Sequence, residues 1–364
     1  MKDSSVLNSK RAKRVLILGR GKSGEAAAKA LREGGAEVDF VEGYDEVVVS
    51  PGVPVKSELQ YGCEELRRRG WKLLAVTGSK GKSSVVKMCA EALGGTACGN
   101  YGLPVSALID ERPGWAVVEI SSFQLETTTL PADTFEAAAI LNLQEDHLTR
   151  HGSKEVYHAL KRKLLSFTRH PIEPFGETTA ARELYRGSYF DNGVLRANAE
   201  SAVALLKAAG LKDEKIAGAF REFRPLSHRF ELVAELGGVK FVDDSKATSI
   251  AALIAGIGMC SGVVRLIAGG LSKGDDPALA GVVLTGRVKK VYIIGSCADC
   301  FYRAWSGFTE CEICGTLEAA VEKVKREAAT GETVLLSPGT ASFDQFKSFE
   351  ERGEVFAQLV KKEK

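Results

Sequence analysis

Apolar and polar positions along this chain fall into a repeated strand–turn–helix rhythm. Short apolar runs at 15–18, 38–41 and 47–49 read as strands, and a glycine turn and an amphipathic helix over 25–32 follow the first. A new unit begins at Trp71, where an apolar run enters a glycine-rich turn and an amphipathic stretch over 85–93 follows. Later strands are expected at 115–120 and 137–142, and helices at 154–167 and 199–209. Residues 168–196 lack apolar periodicity and read as irregular or edge structure. A third unit starts near Pro225, where strands 231–235 and 239–242 flank Gly237-Gly238, a hairpin signal. Helices and strands then alternate through 263–268, 288–294, 309–315 and 333–336 to a last amphipathic helix from Phe343.

Strands alternating with helices build parallel sheets, so the fold class is α/β. Three consecutive α/β domains are expected: a small Rossmann-like domain over 1–69, a central P-loop domain over 70–225 and a Rossmann-like C-terminal domain over 226–364.

Charge and composition narrow the partners. With 49 basic and 47 acidic residues the chain has no excess charge that would call for nucleic acid or an anionic membrane. Residues 1–5 lack the apolar core of a signal peptide. The apolar stretch 251–271 contains Arg265 and five glycines, and reads as a helix followed by a buried strand rather than a membrane span. A cytoplasmic location follows, and eight cysteines agree with a reducing compartment. Cys297-x-x-Cys300 and Cys311-x-x-Cys314 read as incidental thiols rather than a zinc site, because the second pair lies on a strand where positions i and i+3 face opposite ways.

The turn after Trp71 carries the chemistry. Gly78-Ser79-Lys80-Gly81-Lys82-Ser83-Ser84 sits between a strand and a helix, where backbone N–H groups and the helix N-terminus can cradle an anion. Lys82 supplies a mobile charge for the β- and γ-phosphates of ATP, and the Ser83 hydroxyl can ligate Mg²⁺. The usual first glycine of the pattern is replaced by Val76. Glu119 ends an apolar strand just before Ser121-Ser122-Phe123-Gln124, the place where such folds hold Mg²⁺. Asn142-Leu143-Gln144-Glu145-Asp146-His147 repeats the design on the next strand.

Gly19-Arg20-Gly21-Lys22-Ser23-Gly24 matches a dinucleotide fingerprint, with Asp39 or Glu42 available for a ribose. It opens a unit too short for two βαβ halves, which favours one nucleotide diphosphate, of uridine type, over NAD. An NAD-dependent oxidoreductase stays open at this point, as does a non-catalytic nucleotide-binding regulator.

Taken in order, the phosphate loop, Gly99-Asn100-Tyr101-Gly102, Glu119-x-Ser-Ser-Phe-Gln-Leu-Glu126 and Asn142-x-x-Glu-Asp-His147 resemble the Mur ligase family. His228-Arg229-Phe230-Glu231, Asp244-Ser245-Lys246-Ala247-Thr248 and Ser337-Pro338-Gly339-Thr340-Ala341-Ser342-Phe343-Asp344 resemble in particular the members that add D-glutamate. The resemblance spans about Val15 to Phe356. It implies an ATP- and Mg²⁺-dependent amide ligase, monomeric, that joins D-glutamate to UDP-MurNAc-L-alanine through an acyl phosphate. A relative acting on folate or another Mur substrate is the competing ligase reading.

By matching position, Lys82, Glu119, His147 and Lys161 would be the catalytic group. Ser83 and Glu119 would hold one Mg²⁺, and His147 a second together with a carbamylated lysine. Lys161, in Tyr157-x-Ala159-x-Lys161, is the candidate for that modification and Lys163 the rival. Asn198, Arg229, Asp244 and Lys246 would join the loop residues on ATP. Lys22, Ser23, Ser50, Gly52, Asn100, Ser121 and Gln124 would meet the UDP substrate, and Thr248, Lys273, Ser342 and Phe349 D-glutamate. The chain departs from the family in a much shorter first domain, an abbreviated 166–196, Ala197-Asn198-Ala199-Glu200-Ser201 near the adenine, and Gly339-Thr340 near the acceptor.

Overall fold

The computed structural model describes residues 13–43, 55–144, 148–174 and 179–362. The chain divides into two compact units, one of residues 1–191 with 195–223, the other of 192–194 with 224–364.

In the first unit β1 (Arg14–Leu18) and β2 (Glu37–Val41) pair in parallel around the helix Lys22–Glu33. A five-stranded parallel sheet follows: β3 (Lys72–Thr77), β4 (Thr96–Gly99), β5 (Trp115–Glu119), β6 (Phe135–Ile140) and β7 (Thr168–Ile172), in spatial order β4-β5-β3-β6-β7. Leu73, Leu74, Ala75, Val76 and Thr77 are all buried. A central parallel strand is covered on both faces, so it reads as a continuous apolar run rather than an alternation. Ala30 of the first helix joins Leu59, Leu66, Trp71, Leu73, Val105 and Phe135 in one core. The order of strands reverses at β3, flanked by β5 and β6, and such a switch point opens a crevice at the carboxyl ends of the strands.

In the second unit β8 (Glu231–Leu236), β9 (Val239–Asp243), β10 (Val264–Gly269), β11 (Val288–Ile294), β12 (Glu310–Gly315) and β13 (Thr333–Leu336) lie in the order β12-β11-β10-β13-β9-β8. Only β8 is antiparallel, paired with β9 through the Gly237-Gly238 turn. One face packs Leu253, Ile257, Leu266, Phe301 and Trp305; the other packs Phe241, Ile267, Val321, Val334 and Phe356. Cys311 belongs to the first face and Cys314 to the second, as the pleat requires.

Arg265 and Lys290 are buried in this sheet within an ionic network. Arg265 Nε donates to Glu332 at 2.5 Å and a terminal nitrogen to the Tyr292 hydroxyl at 2.7 Å. Lys290 pairs with Glu310 and Glu312 at 2.9 Å and with Glu327 at 3.0 Å.

The structure corrects some of these readings and bears out others. Residues 168–196, expected to be irregular or edge structure, do hold the edge strand β7, but also a helix, Thr179–Tyr185, that was not expected. The last helix starts at Phe349, not at Phe343: the Ser348 side chain caps it, accepting from Glu351 N at 3.2 Å. The helix Glu58–Arg68 and the four-residue β4 went unanticipated. The apolar stretch 251–271 divides into the helix Ile250–Met259 and β10, and among the described residues no helix is long and apolar enough to cross a membrane. The strand expected at 47–49 lies outside the described residues.

Candidate functional site

The phosphate loop leaves β3 at Gly78 and enters the helix Lys82–Leu93 through Gly81, which stands at φ +84° as its N-cap. A Cβ on Gly81 would collide with the Asn198 amide, so this residue must be glycine both for its backbone angle and for the close approach. Asn142 clamps the loop from β6's end: its Oδ1 accepts from Lys80 N at 2.9 Å and its Nδ2 donates to Lys80 O at 2.9 Å. Ser79 is buried, its hydroxyl donating to Gln144 O at 2.9 Å and accepting from the Tyr157 hydroxyl at 3.1 Å.

Two ammonium groups converge on one loop carbonyl. Lys82 Nζ, from the helix start, and Lys161 Nζ, from the helix Lys154–Lys163, each donate to Gly78 O at 2.9 Å. Lys161 is only 1% exposed and lies 4.6 Å from the Tyr157 ring centre. Ser83 is half-buried and Ser84 buried in the same first turn, while Lys80 is exposed.

Glu119 ends β5 beside Val76 of β3 and is 2% exposed. Its Oε1 accepts from Asn100 Nδ2 at 2.8 Å, and among the described residues no donor reaches the buried Oε2. A buried carboxylate oxygen without a donor is costly unless a cation takes it, and a hard divalent ion is the fitting ligand. The donor set therefore suits Mg²⁺. His147 lies outside the described residues, as do Ser50 and Gly52.

Nearby, Ser121 caps the helix Ser122–Thr127, and the Gln124 side chain closes a capping box by accepting from Ser121 N at 2.9 Å. Lys22 and Ser23 are exposed in the first turn of their helix, after a turn so tight that a Cβ on Gly24 would strike the Gly19 carbonyl.

The second unit gathers the remaining candidates in its own loops. Lys273 Nζ donates to the Thr248 hydroxyl at 3.2 Å, joining two of the acceptor positions. Lys246 Nζ stands 3.7 Å from the centre of the Phe349 ring. Burial and, after it, Arg229 hold the Lys246 ammonium below its usual range. Ser342 is buried. Asp244 accepts from the Ser337 hydroxyl at 2.9 Å and from Phe230 N at 3.2 Å, and the packing around it pushes its carboxyl up to about 7.

Arg229 sits between His228 and Phe230, both at positive φ, 61° and 50°. Those strained angles are over-determined by neighbours. Asp243 accepts from or pairs with His228 Nδ1 at 2.7 Å, Glu231 accepts from His228 N at 2.9 Å, and Gly353 leaves room where any Cβ would strike the His228 ring. His228, Glu231 and Asp243 are the one group with metal-type spacing among the described residues, and mutual hydrogen bonds already engage them.

Sequence reasoning passed over Asn142, Tyr157 and His151 as functional positions. The first two stood inside quoted motifs. His151, buried, holds Ser122 Oγ at 3.0 Å through Nε2, and its Nδ1 lies 3.0 Å from a Glu126 carboxylate oxygen. Arg352, also buried, gave no sequence signal beyond being an arginine on an amphipathic helix.

Known proteins resemble this chain over nearly its whole length. Residues 76–172 match the Mur ligase middle domain. The UDP-N-acetylmuramoylalanine–D-glutamate ligase of Acidobacterium capsulatum is 35% identical over 446 aligned positions, covering 96% of this chain and 96% of the relative. That of Rubrobacter xylanophilus is 35% identical over 441 positions, covering 96% of this chain and 98% of the relative. Both alignments are longer than the 364-residue chain, so gaps in this chain bridge extra residues of each relative. Among solved structures, the MurF ligase of Thermotoga maritima in complex with ADP superposes with a TM-score of 0.59 at 16% identity, covering 98% of this chain and 96% of that one.

Proposed function

The chain belongs to the UDP-N-acetylmuramoylalanine–D-glutamate ligase family of the Mur ligases, and from that premise we propose how its residues carry the reaction. It is an ATP-dependent ligase that adds D-glutamate in peptidoglycan precursor synthesis. The alanine carboxylate of UDP-MurNAc-L-alanine attacks the γ-phosphorus of ATP, the bond to the β,γ-bridging oxygen breaks, and ADP leaves. The amine of D-glutamate, having lost a proton, then attacks the acyl carbon. Collapse breaks the carbon–oxygen bond to phosphate, leaving an amide and inorganic phosphate.

The observation that carries this reading is the buried Glu119, one oxygen without a donor among the described residues, beside a glycine loop on which Lys82 and Lys161 converge. Ser83 and Glu119 would hold one Mg²⁺, and His147 with a carbamylated Lys161 the second. When bound, Mg²⁺ offsets the repulsion between the two anions that must meet. Lys82 exchanges the Gly78 carbonyl for phosphate oxygens and follows the charge as it moves to the leaving ADP. Carbamylation of Lys161 would suit its setting: the carbamate nitrogen would keep one N–H for Gly78 O, and the added carboxylate could serve as a metal ligand.

Residues 70–225 take the nucleotide triphosphate, joined by Asn198, and residues 226–364 add Arg229, Asp244 and Lys246. Thr248, Lys273, Ser342 and Phe349 receive D-glutamate, whose two carboxylates want the donors found there. Residues 1–69 take the uridine diphosphate end through Lys22, Ser23, Ser50 and Gly52, with Asn100, Ser121 and Gln124 toward the sugar and alanine. The enzyme works as a monomer in the cytoplasm, where its nucleotide substrates are.

The test is phosphate release from ATP with Mg²⁺ and UDP-MurNAc-L-alanine, comparing D-glutamate, L-glutamate, meso-diaminopimelate and no amine. Release with D-glutamate alone supports the assignment. Release with another amine instead moves the acceptor, and release with none overturns the ligase reading.

A further inference from the structure

Arg352 lies in the first turn of the helix Phe349–Lys361 and is 1% exposed. Among the described residues no carboxylate forms an ion pair with it. Its donors go to neutral oxygens instead: Nε to the Ser245 hydroxyl at 2.9 Å, and one terminal nitrogen to Ser245 O at 2.9 Å and Thr340 O at 3.3 Å. The other terminal nitrogen reaches Ala341 O at 3.4 Å. Burial pushes the guanidinium down to about 10, against the pull of Asp344 and Asp243, so it stays charged at neutral pH.

The segments it joins are those assigned to different substrates. Ser245 stands between Asp244 and Lys246, and Thr340-Ala341 run into Ser342. The Ser245 hydroxyl also donates to Phe349 O at 2.8 Å, and the Phe349 ring lies under Lys246. Ala341 exchanges backbone hydrogen bonds with Leu271 at 2.9 and 3.0 Å, which brings in the loop that carries Lys273. A Cβ on Gly270 would lie 2.7 Å from the Thr340 hydroxyl and collide with Ala341 O, so these loops have no slack.

A buried cation without a carboxylate partner is expensive to desolvate, and hydrogen bonds to oxygens of two separate loops offset that cost here. What a fixed guanidinium adds is geometry, several donors in one rigid plane, and a positive field that favours an anionic ligand nearby. We propose that Arg352 is a positioning residue that couples the nucleotide segment at Ser245-Lys246 to the D-glutamate segment at Thr340-Ser342, so that filling either site tightens the other. The proposal rests on the substrate assignments made above for Lys246, Ser342 and Phe349. Binding of the nucleotide fixes residues 244–246, Arg352 passes that order to the carbonyls of Thr340 and Ala341, and D-glutamate then meets an acceptor loop already in place.

The experiment measures the affinity of the full chain for Mg²⁺ and AMP-PNP by calorimetry, with UDP-MurNAc-L-alanine present, with and without saturating D-glutamate. Wild type is expected to bind the nucleotide at least about 5-fold tighter when D-glutamate is present. In Arg352→Lys, which keeps the charge but loses the planar fork, the ratio is expected to fall below about 2-fold, with unchanged affinity for UDP-MurNAc-L-alanine. Ser245→Ala removes only the hydroxyl bridge and is expected to lower the ratio about twofold, which covers the case in which the arginine variant does not fold.

A wild-type ratio of one, or full coupling in either folded variant, overturns the proposal. So does an equal loss of affinity for all three ligands, the mark of a merely structural residue. Phosphate release by wild type, run in parallel, separates the failures. Wild type active with D-glutamate but uncoupled overturns only the role of Arg352, whereas wild type inactive with D-glutamate overturns the functional reading and this one with it.

Discussion

Asn198 fills the space that a Cβ on Gly81 would need, and Gly81 holds φ +84° beside it. Gly81→Ala therefore meets two penalties at once: about 1–2 kcal/mol for an L-residue in the left-handed region, and displacement of the Asn198 amide. The expected result is a loss of at least about 100-fold in phosphate release, seen mainly as weaker nucleotide binding. Adding Asn198→Ala relieves the collision but not the backbone angle, so the double variant should recover nucleotide affinity only in part. Full activity in Gly81→Ala would contradict the argument.

Glu119→Gln is nearly isosteric and keeps an acceptor for Asn100, but it replaces a charged oxygen with a neutral amide. Phosphate release should fall on the order of 10²–10³-fold, and the Mg²⁺ concentration for half-activity should rise. An unchanged Mg²⁺ titration would show that the orphaned oxygen has another purpose.

Lys161 makes a separate prediction. Protein stripped of CO₂ and bicarbonate should lose activity and regain it when bicarbonate returns. ¹³C-bicarbonate should give one carbamate signal in wild type that is missing in Lys161→Met. Activity indifferent to bicarbonate would leave Lys161 as the ammonium that holds Gly78 O.

Much of this architecture was written in the local pattern. The strands 288–294 and 333–336 were read end to end because buried parallel strands are continuous apolar runs with abrupt polar or glycine borders. The loop Gly78–Ser84 and Glu119 were legible for the same local reason, a strand end followed by a turn. Local pattern misled at Phe343, which has helical spacing to later apolar residues yet is 69% exposed. The turn there is held by a distant contact, Asp344 accepting from Ser296 N at 2.8 Å. β7 was obscured because only Thr168 and Ile172 of its five residues are buried. The meetings of Lys161 with Gly78, of Asn198 with Gly81 and of Arg352 with Ser245 are invisible to any window of sequence, since each joins segments far apart in the chain.

The Asp244 carboxyl, raised to about 7 chiefly by burial with Asp243 adding to the rise and Arg229 opposing it, makes stability depend on pH. Between its ordinary pKa of 3.8 and about 7 the folded state holds a proton that the unfolded chain has released. Stability from this group therefore falls as pH rises through that window and is level above it. Asp244→Asn has no proton to lose, so its stability relative to wild type should increase between pH 5 and pH 8 in urea unfolding. A pH-independent difference would refute this.

The ionic network under the second sheet predicts the reverse sign. Burial alone would raise Glu332, but hydrogen bonds from Arg265 and Lys289 outweigh it and hold its carboxyl at about 2. Its contribution is complete above the ordinary carboxylate pKa and disappears as pH falls toward 2. Arg265→Met should cost about 3–5 kcal/mol at pH 7, because it leaves Glu332 with much of its burial and less compensation. Loss of less than about 1 kcal/mol would mean that water reaches the site.

Of the eight cysteines, Cys300 alone is exposed, while Cys63, Cys89, Cys98, Cys260 and Cys297 are buried. Burial raises Cys89 and Cys98 well above the usual thiol range and Cys260 to about 12, so at neutral pH they are poor nucleophiles. Cys300 sits at the start of the helix Ala298–Trp305, in the unit assigned to D-glutamate. The chain thus comes with its own attachment point: a maleimide dye added in brief stoichiometric labelling should mark the C-terminal unit once, without cysteine engineering. A single fluorophore there can follow that unit through the catalytic cycle in otherwise native enzyme.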